Sequence, residues 1–505
     1  MSFPLPEKRQ EKLKCAKGVH LSADKMGPTK SARFKLAKKK SRAKRGARIS
    51  GCPPKSAKGK NTKKGMVALE RKMVEEAAKC VGQRVMLRGF VHDIRDQSKV
   101  KFVLLRDITG IIQAVALPES GEVFFEIAKV PNESVIEIVG VAKAEKQAPG
   151  GVEVAIESYK VLSEAQKDLP ILVAERGKEE PALPLRLDYR WLDLRKPKNA
   201  LIFKVWTTME AAMREYWLSH GFIQIYSPKI MGLPSESGAE LFSLDYFGKR
   251  AYLAQSPQLY KQMAMSAGFE KIFEIGPVFR ANPSHTTRHD TEFTSIDMEM
   301  SFIDSHEDVM KAEEEWLAHA ILCVKEKHGE EIRKAFGVEI EVPTVPFPRL
   351  TMAQARKMLS EKGIKEGEDL DAEGEKAICA MVKEKFGHDF VFITDYPAGA
   401  RPFYHMRAKG ADGKEVTRSF DLLWKGLEIT TGAQREHRYD ILKRQAVEKG
   451  LSLAPLEDYL NFFRWGCPPH GGCGISPTRL LMIMLGLKNV REATFLPRDT
   501  ERLRP

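Results

Sequence analysis

The 505-residue chain is 43 % apolar and 30 % charged, a balance that suits soluble globular domains and allows roughly two to four of them. Its formal net charge of +14 is uneven: residues 1–65 carry 21 Lys/Arg against 3 Asp/Glu, so the remainder stands at −4. No apolar run approaches the roughly 20 residues of a membrane span, the start is too polar for a secretory leader, and the 7 scattered cysteines, without a CxxC pair, exclude a disulfide framework and point to a reducing compartment.

In chain order, residues 1–65 lack apolar mass and should carry no fold of their own. Their lysines can neutralise phosphates in a salt-dependent way, so RNA is the natural partner; a solvated extension without a partner is the alternative. A short helix is predicted over 66–80. Short Val/Ile/Phe-rich strands follow at 84–92, 101–107, 111–116, 134–142 and 151–162, set off by glycine-bearing turns. Five strands in about 100 residues suggest an OB-fold barrel over 66–165, a fold that often binds single-stranded nucleic acid. Residues 166–196, charged and broken by proline, read as a hinge.

From 197 the pattern changes. A long amphipathic helix is predicted over 200–220, extended pieces over 273–278 and 294–300, a helical region near 306–335 and a mixed stretch over 350–390. Further extended pieces flank 426–435. The glycines of His470-Gly-Gly-Cys-Gly474 read as a loop, followed by a helix over 478–487. Strands mixed with helices without a βαβ rhythm predict an α+β domain on an antiparallel sheet, 197–505. Cys467, His470 and Cys473 could suggest zinc, but no fourth ligand is evident.

Three groups of residues carry chemistry. Residues 278–293 read as two strands joined by a loop, with Arg280 at a strand end, Arg288 and His289 in the loop, and Phe293 on the return. Arginine forks suit phosphate, and a ring on the same face can stack on a base. A local ion-pair cluster of Arg288, Asp290 and Glu292 is an equal alternative. Asp421 and Glu428, on adjoining strands, can hold Mg²⁺ against phosphate oxygens. Arg479 follows a glycine-rich turn at a helix start, where it can stack or bind anions.

Taken together, Pro228, the Phe279-Arg280…Arg288-His289…Glu292-Phe293 block, and Gly474…Arg479-Leu480 with its tail through Arg498 resemble the three motifs of class II aminoacyl-tRNA synthetases. Residues 254–262, 291–297 and 428–435 resemble the aspartyl-tRNA synthetases of the archaeal and eukaryotic branch. The likeness covers roughly residues 80–505. It implies activation of aspartate with ATP and Mg²⁺, then transfer to the 3′ end of tRNA-Asp, by a cytoplasmic homodimer. Arg280 would grip the α-phosphate and His289 sit near the distal phosphates, with Arg288 and Asn282 also binding ATP; Phe293 and Arg479 would sandwich adenine. Asp421, Glu428 and Thr431 would hold the metal. Lys261, Arg435, Gln258 and Glu236 would bind aspartate.

In the barrel, Phe102, Gln113 and Glu153 match anticodon-binding positions; without the resemblance Phe102 is equally a core ring. His92 and Pro149 stand where strictly aspartate-tRNA-specific relatives carry Trp and Lys. That favours a non-discriminating enzyme, which also charges tRNA-Asn. The alternatives are a discriminating enzyme, an asparaginyl-tRNA synthetase, or a non-catalytic tRNA-binding paralogue. The last draws on departures from the pattern: Asn282 for glutamate, Ser237 for glycine, and Ser476 and Thr478 for Gly and Glu.

Overall fold

The computed structural model describes residues 69–174, 180–233, 240–283, 286–365 and 367–505. Contacts divide the chain into Met1–Arg71 and Lys72–Pro505, and every element that follows belongs to the second unit. The basic segment expected over 1–65 lies outside the described residues, as do Glu236 and Ser237.

Five strands form the barrel: Arg84–Gln97, Val100–Asp107, Gly110–Ala116, Val135–Ala144 and Val152–Ser163. It closes because the first strand pairs with the second and the fourth, while the third runs parallel to the fifth. Side chains alternate across a strand. Val85, Leu87, Val103, Leu105, Ile136 and Ile138 therefore fill the interior, and Phe102, Leu104 and Arg106 face outward. The helix expected over 66–80 shrinks, among the described residues, to the turn Val74–Ala77. The Asp107 carboxylate accepts the Val74 amide at 2.8 Å. Val74 and Ala77 are buried in the barrel core and Ala78 and Cys80 pack at its edge, so little apolar surface rewards a longer helix.

The larger body is built on an 8-stranded sheet in the order Arg349–Thr351, Phe390–Thr394, Ser419–Trp424, Leu427–Gln434, His470–Ile475, Glu292–Ser301, Lys271–Phe279, Ile223–Gln224. Pairing is antiparallel except at the two outer strands. Helices Pro197–Ser219, His306–Phe336 and Pro477–Leu485 cover one face and share its core. There the Trp217 ring stacks on Phe273 with centroids 4.8 Å apart. Helices Gln258–Ser266 and Ala372–Phe386 lie on the opposite face, leaving the middle strands open between them. The α+β architecture with an antiparallel sheet, and the five-stranded barrel, are as the sequence predicts.

One expectation is corrected. His470-Gly-Gly-Cys-Gly474 is not a loop but the strand His470–Ile475, between Leu427–Gln434 and Glu292–Ser301. Its glycines serve close approach rather than turning: a Cβ on Gly472 would overlap the Met298 carbonyl and the Glu299 carboxylate. The hairpin Ser419–Trp424/Leu427–Gln434 turns on Lys425 and Gly426, at φ 48° and 84°. Two left-handed residues suit a tight hairpin. A Cβ on Gly426 would also lie 3.0 Å from the Lys376 Cα, so helix Ala372–Phe386 sits directly on this turn.

Where a hinge was expected, helices Leu183–Asp188 and Arg190–Asp193 dock on the far end of the sequence. Arg190, with no exposed surface, donates to the carbonyls of Glu492 (2.8 Å), Thr494 (2.9 Å) and Phe495 (3.2 Å). Its fourth partner is the Asp193 carboxylate at 2.7 Å. No helix among the described residues is long and apolar enough to cross a membrane.

Candidate active site

The open face of the sheet holds a cleft of about 1480 Å³, open mouth included, with Arg280, Arg288 and Arg479 in one group of its lining and Lys261 and Arg435 in another. Arg280, Asn282, Arg288, His289, Phe293, Glu428, Thr431, Arg479, Gln258, Lys261 and Arg435 all line it. The structure thus brings eleven of the predicted residues, from four separate segments, to one wall.

At the first end, Arg280 follows the strand Lys271–Phe279, and its guanidinium lies 5.4 Å from the Phe293 ring centre. The two flank the mouth of one hairpin, where Phe279 is the register partner of Glu292. The His289 ring meets the Thr286 hydroxyl at 2.6 Å. Burial, then Arg479, Arg288 and Arg280, push its pKa below the ordinary value, which favours the neutral ring. Arg479 donates to the Glu428 carbonyl at 2.9 Å. The local ion-pair alternative does not form. Arg288 pairs instead with Glu375 at 3.0 Å, and Asp290 takes the Thr494 hydroxyl at 2.9 Å. The segment past residue 490 pins the loop further: the Val490 amide donates to the Thr287 carbonyl, and Thr291 to that of Arg498.

At the other end, Lys261 and Arg435 are 1 % and 3 % exposed. The Lys261 ammonium reaches Asp297 (3.0 Å), Glu299 (3.3 Å) and the Cys473 carbonyl (3.2 Å). Arg435 donates to Glu299 (3.0 Å) and the Gly472 carbonyl (2.9 Å), and contacts the His405 ring at 3.1 Å. Burial opposes charge on Glu299, yet Arg435 and Lys261 hold its pKa below the usual carboxylate value. Burial and then Arg435 drive His405 far below its own, so it stays neutral. Gln258 spends its side-chain amide on Gln262, at 2.9 Å.

Glu428 and Thr431 sit side by side, hydroxyl to carboxylate at 2.9 Å. Asp421 does not reach the cleft wall. It pairs in register with Thr431 one strand away, but is buried and closed off by Arg401 at 2.5 Å, and Arg401 lines the cleft in its place. Burial, with Glu428 adding to it and Arg401 opposing, pushes Asp421 up to about 6. No cluster of three His, Cys, Asp or Glu forms among the described residues. Two hard oxygens facing an anion site still fit Mg²⁺, which keeps its waters and is shared with substrate phosphates.

In the barrel, the Gln113 amide meets Glu153 at 3.0 Å on paired strands, and Phe102 lies two residues from Leu104, the register partner of Gln113. His92 stands at a strand irregularity, 2.6 Å from Arg106, while Pro149 is exposed on a turn. Sequence reasoning missed Glu299, Tyr404, His405, Arg401 and Glu375. Glu299 was findable, since it follows Asp297 at strand spacing. The Arg401–His405 run offers no periodic signal.

A family model for tRNA synthetases class II (D, K and N) matches residues 182–500, and an OB-fold nucleic acid binding domain matches 85–162. The chain belongs to the class II aminoacyl-tRNA synthetases. Among curated relatives of this synthetase, the aspartate–tRNA(Asp/Asn) ligase of Methanopyrus kandleri is 47 % identical, over 84 % of this chain and 96 % of its own. The aspartate–tRNA(Asp) ligase of Pyrococcus horikoshii is 44 % identical, over 84 % and 97 %. Among solved structures, the asparaginyl-tRNA synthetase of Pyrococcus horikoshii with asparaginyl-adenylate aligns at TM-score 0.79 and 34 % identity, covering 86 % of this chain and all of its own.

Proposed function

We propose that this synthetase is an ATP-dependent aspartate–tRNA ligase that charges tRNA-Asp and also tRNA-Asn. The observation that carries the reading is the cation pair Lys261 and Arg435, desolvated at the inner end of a cleft whose outer end gathers Arg280, Arg288 and Arg479. Asp297 and Glu299 hold the pair in place, and its remaining N–H donors suit a carboxylate, which only accepts, better than an amide, whose N–H₂ would face donors. Asp297 offers a counter-charge for the substrate ammonium. The non-discriminating half rests on His92 and Pro149, and on the name of the Methanopyrus kandleri relative.

No protein nucleophile is needed. In the first step an oxygen of the aspartate α-carboxylate attacks the α-phosphorus of ATP and pyrophosphate leaves. In the second, a ribose hydroxyl at the tRNA end attacks the acyl carbon, loses its proton, and AMP leaves. The chain contributes position and charge. Arg280 faces the α-phosphate, where charge builds. His289, neutral in the free enzyme, is placed to gain a proton as phosphates arrive. Phe293 and Arg479 bracket adenine. Glu428 and Thr431, with Asp421 behind, would hold Mg²⁺, which supplies charge neutralisation on the phosphates.

Residues 1–65 would add non-specific RNA affinity, residues 166–196 would act as the hinge between barrel and catalytic domain, and the place of work would be the cytoplasm. Leu218 and Tyr226, 62 % and 78 % exposed in the segment resembling motif 1, support a homodimer. The test is twofold. ATP–pyrophosphate exchange should depend on aspartate and not asparagine. Purified transcripts of tRNA-Asp and tRNA-Asn should both accept aspartate; if only tRNA-Asp does, the His92/Pro149 reading fails. No exchange from clean protein would favour the non-catalytic paralogue.

A further inference from the structure

Glu375 has no place in the chemistry above, yet it stands at the seam between the two halves of the nucleotide end. It lies in the first turns of helix Ala372–Phe386, a helix capped by Asp371, which accepts the amides of Glu373 and Gly374 at 2.9 Å. The helix is seated by Gly426, whose missing Cβ lets the Lys376 backbone come down onto the hairpin turn. That turn leads, two residues on, to Glu428. Glu375 is therefore delivered, 8 % exposed, beside the strand that carries the metal-type donors.

From there it makes a direct ion pair. Its carboxylate holds the Arg288 guanidinium at 3.0 Å, across 87 residues of sequence. The seat of its helix on the turn at Gly426 ties the same carboxylate to the strand that begins at Leu427. We propose that Glu375 is a positioning residue: it braces the motif 2 loop, through Arg288, against the strand that presents Glu428, and so sets the spacing between the phosphate-gripping loop and the metal-gripping strand before ATP arrives. This assigns Arg288 to the scaffold, in place of the direct ATP contact the resemblance implies, and leaves Arg280 and His289 to the phosphates. It rests on the ATP reading of the cleft for its kinetic consequence only.

A charge-assisted, largely desolvated hydrogen bond is worth enough to change an equilibrium about tenfold. Full-length Glu375→Gln should then raise the KM for ATP about tenfold in aspartate-dependent exchange, with kcat within about threefold, and Glu375→Asp should recover much of the loss. Arg288→Ala should match Glu375→Gln, and the double variant should be no worse than the poorer single, because both remove one contact. An unchanged or lowered KM, or losses that multiply in the double variant, would overturn the proposal. A second readout needs no activity. Without nucleotide, amide hydrogen exchange at residues 286–290 should quicken in Glu375→Gln while the protection of helix Pro197–Ser219 stays put. Equal protection of the loop in both proteins sinks the brace, whereas a wild type without exchange activity but with this loop response sinks only the ATP reading.

Discussion

Single residues in this protein carry charge states that the fold sets and solution would not. Glu313 is fully buried behind the sheet, with the Thr430 hydroxyl beside it, and burial pushes its pKa up to about 8. The folded form thus prefers the neutral acid. Stability from that preference is complete below the ordinary carboxyl pKa of about 4.5, and falls by about 1.4 kcal/mol per pH unit as pH rises toward 8. Glu313→Gln should therefore flatten the alkaline side of the stability curve, gaining a few kcal/mol over wild type at pH 8.5 and little at pH 4.5. Denaturant titrations at both pH values check this; parallel curves would show Glu313 charged in the fold. Asn282 makes the second residue-scale prediction. It is half-buried and lines the cleft, at the position where the class II pattern that the sequence resembles has glutamate. Its amide still offers a donor and an acceptor, so Asn282→Glu should keep aspartate-dependent exchange at wild-type level or a few-fold above, and a collapse would reveal a use for the amide itself.

At the scale of elements, the helices and barrel strands were legible because their apolar periods are long and regular. The helix predicted over 200–220 is Pro197–Ser219, and 306–335 is His306–Phe336. What periodicity could not report was the strand His470–Ile475. Four local signals there, Gly471, Gly472, Gly474 and the preceding prolines, speak for a loop. The reason for glycine at 472 lies on the neighbouring strand Glu292–Ser301, at Met298, 174 residues earlier in sequence. The site shows the same divide. Arg280, His289 and Phe293 were readable as a block, whereas the Asp421–Arg401 closure and the Arg288–Glu375 pair depend on which strand lies beside which. The glycines separate by what a methyl group would meet. Gly472→Ala strikes the Met298 carbonyl and the carboxylate of Glu299, which holds both Lys261 and Arg435. It should cost most of the aspartate-dependent exchange or the fold. Gly474→Ala meets only the Asp297 carboxylate, 3.1 Å away, which Lys261 and Ser295 hold and which has to give by a few tenths of an ångström. It should fold normally and raise the KM for aspartate a few-fold; equal damage from both would mean the strand tolerates no Cβ anywhere.

For the whole molecule, two features outside the cleft decide how it holds together and what it meets. Arg190 ties the hinge helices to three carbonyls past residue 491. Arg190→Ala leaves buried Asp193 to Arg186, which holds it at 3.0 Å, strands three carbonyl acceptors, and should cost about 2–4 kcal/mol. A drop in Tm of several degrees reads this out, and Arg190→Lys should recover little because an ammonium cannot fork. The basic segment bears on RNA through its charge. Deleting residues 1–65, with 21 Lys/Arg, should raise the KM for tRNA, most strongly at low salt, and leave aspartate-dependent exchange intact. Unchanged tRNA affinity at low salt would remove the segment from RNA binding.

The contact between Thr494 and Asp290 spans 204 residues, and its neighbours, Val490 to Thr287 and Thr291 to Arg498, reach as far. During translation the loop that handles nucleotide therefore leaves the ribosome well before its own supports. At about 5–20 residues per second the delay is about 10–40 s. For that interval the nascent chain can fold its barrel but lacks the partners of its catalytic loop, so a synthetase that feeds the ribosome stays idle until its own synthesis is nearly done.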